Sequence, residues 1–239
     1  LTVREDRSRT SLNLPGRQEE LLKAVCATGK PVVLVLLDGR ASSINYAAAH
    51  VPAILHAWFP GEFCGQAVAE ALFGDYNPGG RLAVTFPKSV GQIPFAFPFK
   101  PGSDESSSTS VYGVLYPFGH GLSYTTFSYG DLKISPLRQG VQGDINISCK
   151  IKNTGKIKGD EVVQLYLRDE VSSVTTYTKV LRGFERISLE AGEEQMVHFR
   201  LRPQDLGLWD KNMNFRVEPG KFKVMIGSSS TDIRLHGRF

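Results

Sequence analysis

The first third of the chain alternates between helical and strand-like patterns of apolar residues. The segment RQEELLKAVCATG places four apolar side chains on one helical face: Leu21, Leu22, Val25 and Cys26. KPVVLVLLDG contains a continuous run of β-branched and Leu residues, which is typical of a parallel strand buried on both faces. SSINYAAAH and GQAVAEALFG predict two more helices, and VPAILHAWFPG and GRLAVTFP predict two more strands. Repeated strand–helix–strand units predict an α/β layer with a mostly parallel sheet.

From about Ser128 onward, apolar and polar residues alternate instead. Segments such as GDEVVQLYLRDE and EEQMVHFRLRP are separated by Asn-Thr-Gly, Ala-Gly and Pro-Gly turn signals. Several short strands at this spacing, over roughly 110 residues, predict an antiparallel β-sandwich of immunoglobulin-like or fibronectin type III topology. Within it, EAGEEQMVHFRL predicts a hairpin that turns at Gly192 and points Met196, Phe199 and Leu201 inward.

These patterns predict two domains with different architecture. Residues 1–124 are predicted to form a three-layer α/β sandwich domain, and residues 125–239 a fibronectin type III-like β-sandwich. Between them, KPGSDESSSTSVYG is polar and Ser-rich, which is typical of a functional loop. LYPFGHGLSYTTFSY is rich in Gly and aromatic residues, which indicates a buried connection and not a flexible tether.

Composition narrows the possible partners. With 41% hydrophobic and 22% charged residues, the 239-residue chain has the composition of a globular protein. A net charge of +4 is too weak to indicate nucleic-acid binding, and the apolar runs are too short to span a membrane. Cys26, Cys64 and Cys149 lack metal-ligand spacing and are interpreted as core residues, and no two histidines have ligand spacing, so we predict no metal site.

Several long motifs, in order along the chain, resemble glycoside hydrolase family 3. They include GKPVVLVLLDGR, AILHAWFPGEFCGQAVAEALFGDYNPGGRLAVTFPKSVGQIP, LYPFGHGLSYTTFSY and EPGKFKVMIGSSS. The resemblance is closest to bacterial periplasmic-type β-glucosidases, so it implies a periplasmic or secreted protein, although the chain shows no signal peptide. In this family a (β/α)8-type barrel precedes the α/β sandwich and fibronectin type III-like domains. We expect this chain to lack the barrel.

The resemblance also assigns a role to the charged segment EDRSRTSLNLPG. Related sequences carry a Glu four residues before an Arg and ahead of Leu-Pro-Gly, and Glu5 and Arg9 match this spacing. Glu5 therefore matches the general acid/base of the family, whereas the nucleophilic Asp lies on the barrel and has no match here. A retaining glycosidase needs two carboxyl groups about 5–5.5 Å apart, and the proton donor needs a partly desolvated site beside a negative charge. Arg9 is predicted to pin the loop through bidentate hydrogen bonds.

The chain departs from the family pattern at two places. Asp6 and Arg7 add charges beside Glu5, and their effects on its pKa oppose each other. Where relatives tend to carry a Tyr pair after Ile-Pro, Ala96 lacks a ring and Phe97 lacks a hydroxyl group. If this segment borders the sugar site, we expect the substrate preference to differ.

Three charged residues stand at the carboxyl ends of predicted strands, where α/β sheets bind ligands. They are Asp38, Arg40 and Glu62. The resemblance implies that this region serves as interface and scaffold, so we leave these residues out of the catalytic set.

The expected function is part of an exo-acting β-glucosidase that removes non-reducing terminal β-D-glucosyl residues from a β-glucoside or oligosaccharide. The reaction proceeds with retention by double displacement and needs no cofactor. The nucleophile would come from an N-terminal barrel or a companion chain, and an exposed interface also allows a homo-oligomer. Alternatives are a β-xylosidase or N-acetylglucosaminidase of the same family, or a non-catalytic carbohydrate-binding or partner-docking module. The sandwich offers such a module three aromatic residues: Trp209, Tyr166 and Tyr177.

Overall fold

A computed structural model describes residues 9–93, 97–102, 111–138, 140 and 142–239 of the chain. The described residues form two compact units. The first unit contains residues 9–76, 84–93 and 111–117, and the second contains residues 77–83 and 97–102 together with the described residues from 118 to 239. The predicted domain boundary at residue 124 stays a prediction. Among the described residues, no helix has the length and apolar character needed to cross a membrane.

The first unit combines helices with a parallel strand pair. Its elements in chain order are α1 (Gln18–Cys26), β1 (Val33–Leu36), α2 (Asn45–His50), β2 (Ala53–His56), α3 (Cys64–Phe73) and a 3₁₀ turn (Val90–Gln92). Strands β1 and β2 run parallel, with Val33 opposite Ala53 and Leu36 opposite His56. Helix α3 ends at Gly74, whose φ of +88° is a left-handed conformation that favours glycine.

The core of this unit lies between the helices and the strand pair. Its buried members are Leu22, Leu36, Ile44, Ala47 and Val51. On the predicted apolar face of α1, Leu22 is buried, whereas Leu21 and Val25 are exposed. The predicted apolar face of α1 is therefore only partly buried.

Two local predictions for this unit are wrong. Residues 80–87, all of which the structure describes, form no strand, and Phe86 makes a single antiparallel bridge to Tyr116. Strand β1 is not buried on both faces, because Val33 is 50% exposed, and the neighbouring Leu37 is 56% exposed. The physical reason is that, among the described residues, β1 pairs with β2 alone, so the run of Val and Leu is incompletely covered.

The second unit is a β-sandwich of two antiparallel sheets, which confirms the predicted fold class of α/β followed by all-β. Its elements are β3 (Phe127–Ser135), β4 (Ile145–Asn153), β5 (Gly159–Asp169), β6 (Val180–Leu189), β7 (Glu194–Leu201), α4 (Pro203–Leu206), β8 (Leu208–Trp209), β9 (Phe215–Arg216), β10 (Phe222–Gly227) and β11 (Ile233–Arg238). One sheet has the order β11-β10-β5-β6, the other has the order β3-β4-β7, and β8 and β9 form a separate pair. Inward positions alternate along β4 at Ile145, Ile147, Cys149 and Ile151.

The predicted hairpin at Gly192 is wrong, because this turn connects the two sheets. Gly192 does turn the chain, with φ of +82°, but β6 pairs with β5 and β7 pairs with β4. The inward assignment of Met196 is also wrong, since Val197 is buried in its place and Met196 is exposed. Successive side chains of a strand point to opposite faces, so residue 196 cannot share the face of Phe199 and Leu201.

Candidate active-site edge of the first unit

The predicted acid/base residue Glu5 lies outside the described residues, which begin at Arg9. Two hydrogen bonds hold the turn of residues 9–13 that follows it. The Arg9 Nη2 donates a hydrogen bond to the Asn13 carbonyl at 2.7 Å, and the Asn13 backbone N–H donates to the Ser11 Oγ at 3.1 Å. Among the described residues, Arg9 makes this one hydrogen bond, which fixes its own turn, and the bidentate pinning of the loop stays a prediction.

This turn is anchored beside the carboxyl end of β1. The backbone N–H of Ser43 donates to the Leu12 carbonyl at 2.9 Å, and Leu14 packs against the core of the first unit. Ser43 is buried and its Oγ donates to the Pro87 carbonyl at 3.0 Å. The segment that follows Glu5 is thus tied to the edge of the parallel sheet where α/β proteins bind ligands.

The carboxylate of Asp38 is buried at this edge. Its Oδ2 accepts a hydrogen bond from the Ser42 hydroxyl group, which is also buried. Its Oδ1 is buried and has no hydrogen-bond partner among the described residues. Leaving a carboxylate oxygen unsatisfied in the interior carries a free-energy cost, so this atom marks a position where a further donor fits.

His56, at the end of β2, packs among aromatic rings at the same edge. Its ring contacts Trp58 edge-on with centroids 4.2 Å apart and contacts Phe86 edge-on at 5.3 Å. Burial lowers the pKa of His56 below its usual value, and this effect outweighs the opposing effects of the Asp38 carboxylate and the Arg40 backbone. Trp58 itself has φ of +52°, a conformation that is strained for a residue other than glycine.

We expect the His56→Gln variant to lose less stability on acidification than the wild-type chain. Because the pKa of His56 is lowered in the folded state, the unfolded state binds the proton first, and stability falls as the pH drops below about 6.5. The measurement is the thermal midpoint of each protein at pH 7.5 and 5.5. His198, exposed on β7, provides the control variant His198→Gln. Equal pH dependence in the two variants contradicts the assignment.

The three charged residues at the predicted strand ends have different environments. Asp38 is buried, Arg40 is half-buried and Glu62 is exposed in the turn before α3. The structure brings Asp38 together with His56, which sequence reasoning missed because that histidine stands inside the apolar run VPAILHAWFPG. Its position at the carboxyl end of a predicted parallel strand is the signal that identifies it.

A comparison with known families identifies the family of the chain. The model of the glycosyl hydrolase family 3 C-terminal domain matches residues 2–124, just over half of the chain. The chain belongs to glycosyl hydrolase family 3. A second model, the fibronectin type III-like domain, matches residues 161–230 within the β-sandwich.

Curated relatives match almost the whole chain. A beta-xylosidase of Formosa agariphila is 45% identical over 233 residues, which cover 96% of this chain and 32% of that protein. The periplasmic beta-glucosidase of Salmonella typhimurium is 41% identical and has the same coverage of both chains. The chain thus spans about a third of the length of these curated relatives.

Solved structures of β-glucosidases share the fold. The β-glucosidase of Erythrobacter marinus superposes with a TM-score of 0.92 and 41% identity, over 100% of this chain and 32% of that chain. The Listeria innocua β-glucosidase in complex with glucose gives a TM-score of 0.88 and 33% identity, over 97% of this chain and 34% of that chain.

The family 3 chain offers no metal cluster among the residues that the structure describes. Its three cysteines are free thiols. Cys149 is buried in β4, and burial raises the pKa of its thiol to about 11, as for an inert core residue. Cys26 and Cys64 are only half-buried, so the core interpretation fits them less fully.

Phe97, one of the departures from the family 3 pattern, packs within the second unit. Its ring stacks on Phe118 with centroids 4.7 Å apart and meets Tyr166 edge-on at 5.6 Å. Ala96, Asp6 and Arg7 lie outside the described residues. Tyr166 is fully buried, so it cannot serve as an exposed sugar platform.

Proposed function

We propose that this chain is the carboxyl-terminal part of an exo-acting β-glycosidase, and that its substrate is a β-D-glucoside. The observation that carries the proposal is the match of this chain, over at least 93% of its length, to curated β-glucosidases and β-xylosidases. The longer enzyme would hydrolyse non-reducing terminal β-D-glucosyl residues with retention of configuration and without a cofactor. β-D-xylosides are the second candidate substrate, because three of the curated relatives are β-xylosidases by name.

In this proposal Glu5 acts as the general acid/base. In the first step its carboxyl group protonates the departing glycosidic oxygen while a nucleophilic carboxylate, carried outside these 239 residues, attacks the anomeric carbon. In the second step the Glu5 carboxylate removes a proton from the water that hydrolyses the glycosyl-enzyme. A barrel domain or a companion chain supplies the nucleophile.

The anchored turn supports this role for Glu5. Arg9 stands four residues after Glu5, and Leu12 is bonded to Ser43 near the carboxyl end of β1. Four residues of extended chain span at most about 14 Å. The proposal therefore requires the reacting sugar to bind close to this edge of the first unit.

Exposed apolar side chains at the same edge support a covering domain. Leu37 follows β1 and is 56% exposed, and Phe59 and Phe63 follow β2 and are each 71% exposed. The Phe59 ring lies over Gly39, where a Cβ atom would come within 2.4 Å of it. Large exposed apolar residues in one region mark an interaction surface, and the proposed occupant is the barrel that carries the nucleophile.

The cellular location of the enzyme is proposed from its relatives. We propose a periplasmic or secreted protein, and the support is that one curated relative is named a periplasmic beta-glucosidase.

The isolated 239-residue chain should be inactive on p-nitrophenyl β-D-glucoside and p-nitrophenyl β-D-xyloside. It carries one of the two required carboxyl groups, so the glycosyl-enzyme cannot form. Release of p-nitrophenol by the purified chain should equal the rate without enzyme, whereas a protein that also contains the barrel should hydrolyse at least one substrate. The Glu5→Gln chain serves as the control for contaminating glycosidases. Turnover that depends on Glu5 in the isolated chain contradicts the proposal.

A further inference from the structure

We propose that the β-sandwich of the second unit binds carbohydrate in a surface cavity built around Trp209 and Tyr177. The ligand class is a short β-linked oligosaccharide of glucose or xylose, and this choice of sugar rests on the proposed function. The cavity has a volume of about 410 Å³, within the range of roughly 300–1,000 Å³ that is typical of ligand sites. All of its lining residues belong to the second unit.

Two exposed aromatic rings form the apolar part of the cavity. Trp209, in β8, is 60% exposed, and Tyr177, in the connection between β5 and β6, is 43% exposed. The two rings come from segments that are far apart in the chain, and both line the same cavity. Flat aromatic faces are suited to the apolar C–H faces of sugar rings, and the polar edges of Trp and Tyr can hydrogen-bond to hydroxyl groups.

Trp209 is held in place by its own strand pair. Strands β8 and β9 are antiparallel, with Trp209 opposite Phe215, and the two rings meet edge-on with centroids 5.5 Å apart. The Phe215 ring also packs against Gly207, where a Cβ atom would approach it within 2.3 Å. The indole is therefore positioned before any ligand binds, which reduces the entropy lost on binding.

A buried carboxylate fixes the turn that carries this strand pair. Asp210 accepts hydrogen bonds from the backbone N–H groups of Asn212 at 2.8 Å and Asn214 at 3.0 Å. It also pairs with Arg216 at 2.7 Å. These bonds, led by the one from the Asn214 backbone, lower the pKa of Asp210. These bonds fix the turn next to Trp209, so the exposed indole ring is held in one position.

Charged groups beside the rings supply the polar part of the site. Exposed Arg182 lines the cavity, and no described residue forms a hydrogen bond or ion pair with its guanidinium group. Asp205 also lines it and uses its Oδ2 to accept the Arg202 backbone N–H at 2.8 Å. Half-buried Asp169 is the third group, and burial raises its pKa. Guanidinium and carboxylate groups form strong hydrogen bonds to hydroxyl groups.

The combination favours a sugar over other ligands. A purely apolar ligand would leave the Arg182 guanidinium group without a hydrogen-bond partner, and a small anion would make no use of the two rings. An oligosaccharide has apolar ring faces and vicinal hydroxyl groups in alternation along one chain. It therefore matches both sets of groups in a cavity of this size.

Titration calorimetry of the 239-residue chain with cellotetraose and xylotetraose tests the proposal. We expect saturable binding of at least one of them, and at least tenfold weaker binding by both Trp209→Ala and Tyr177→Ala. The matched control is Phe184→Ala, because Phe184 is an exposed aromatic residue of β6 that does not line the cavity. If Trp209→Ala unfolds, as judged by circular dichroism, exposed Tyr177 and Arg182 keep the test decisive through their alanine variants.

The outcomes separate this inference from the proposed function. Loss of binding in the cavity variants and retention in Phe184→Ala supports the site. No binding of either probe by the folded chain, or binding that the cavity substitutions leave unchanged, overturns it. The Glu5→Gln chain should bind as the wild-type chain does, so the site and the acid/base assignment can fail independently.

Discussion

In a protein that joins this chain to a catalytic barrel, Glu5→Gln should reduce kcat/KM for cellobiose by about 10²–10⁴-fold. The departing sugar alkoxide is a poor leaving group, and without the proton from Glu5 it leaves far more slowly. For 2,4-dinitrophenyl β-D-glucoside, kcat/KM should change little, because a dinitrophenolate departs without protonation. The kcat for that substrate should still fall, since the second step lacks its general base. Initial rates on the two substrates provide the measurement.

The neighbouring carboxylate supplies a matched control for this experiment. Asp6→Asn removes a negative charge one residue away and should keep most of the activity on both substrates. Added azide should restore turnover of the dinitrophenyl substrate by the Glu5→Gln variant, because azide attacks the glycosyl-enzyme without a general base. Equal losses on the two substrates in Glu5→Gln, or a matching loss in Asp6→Asn, contradict the acid/base role.

Local periodicity predicted the helices and most strands well. Helices α1 and α2 and strands β1 and β2 lie within the segments that the pattern assigned to them, and α3 begins one residue before its predicted segment, at Cys64. The errors concern non-local partners. The pattern of GRLAVTFP fits a strand, but its described residues form one bridge, between Phe86 and Tyr116. Likewise, Gly192 signals a turn, yet nothing near it in sequence specifies that β7 joins the other sheet.

Tyr166 shows why exposure was harder to predict than secondary structure. Strand β5 lies between β10 and β6, so its two edges are paired. Val163 and Leu165 face the sandwich core, while Gln164 and Tyr166 on the opposite face are buried as well. Other segments of the second unit cover that face: Gln164 donates to the Gly119 carbonyl at 3.2 Å. An alternating pattern of apolar and polar residues does not show whether distant segments of the chain cover the outer face of a strand.

For the candidate site too, some features could be recognised in the sequence and others required the folded structure. The spacing of Glu5 and Arg9 was recognisable only through the family motif, because a charged stretch at a chain end has no distinctive periodicity. The Asp38–His56 neighbourhood depends on the parallel pairing of β1 and β2, which places the two strand ends side by side. The pairing of Trp209 and Tyr177 in one cavity likewise requires the folded sandwich.

A buried ion pair in the second unit carries the largest expected effect on stability. The Arg81 Nη2 lies 2.8 Å from the Glu161 Oε1, with only 7% and 3% of the two side chains exposed. Glu161 also accepts the backbone N–H of Val162 at 2.8 Å. The pair also shifts the pKa of two neighbouring side chains. Burial raises the pKa of Tyr129, and the Glu161 charge raises it further. Burial lowers the pKa of His120, and the Arg81 charge lowers it further.

Glu161→Gln should lower the free energy of unfolding by about 3–5 kcal/mol, because it leaves the Arg81 charge buried without a counter-charge. The matched control is Glu190→Gln. Glu190 pairs with Lys158 at a similar 2.7 Å, but those side chains are 64% and 61% exposed, so the expected loss is about 0–1 kcal/mol. Urea unfolding at pH 7 measures both. The double variant Arg81→Met and Glu161→Leu should recover most of the lost stability, since neither charge remains buried. Equal losses in Glu161→Gln and Glu190→Gln would show that burial does not set the strength of this pair.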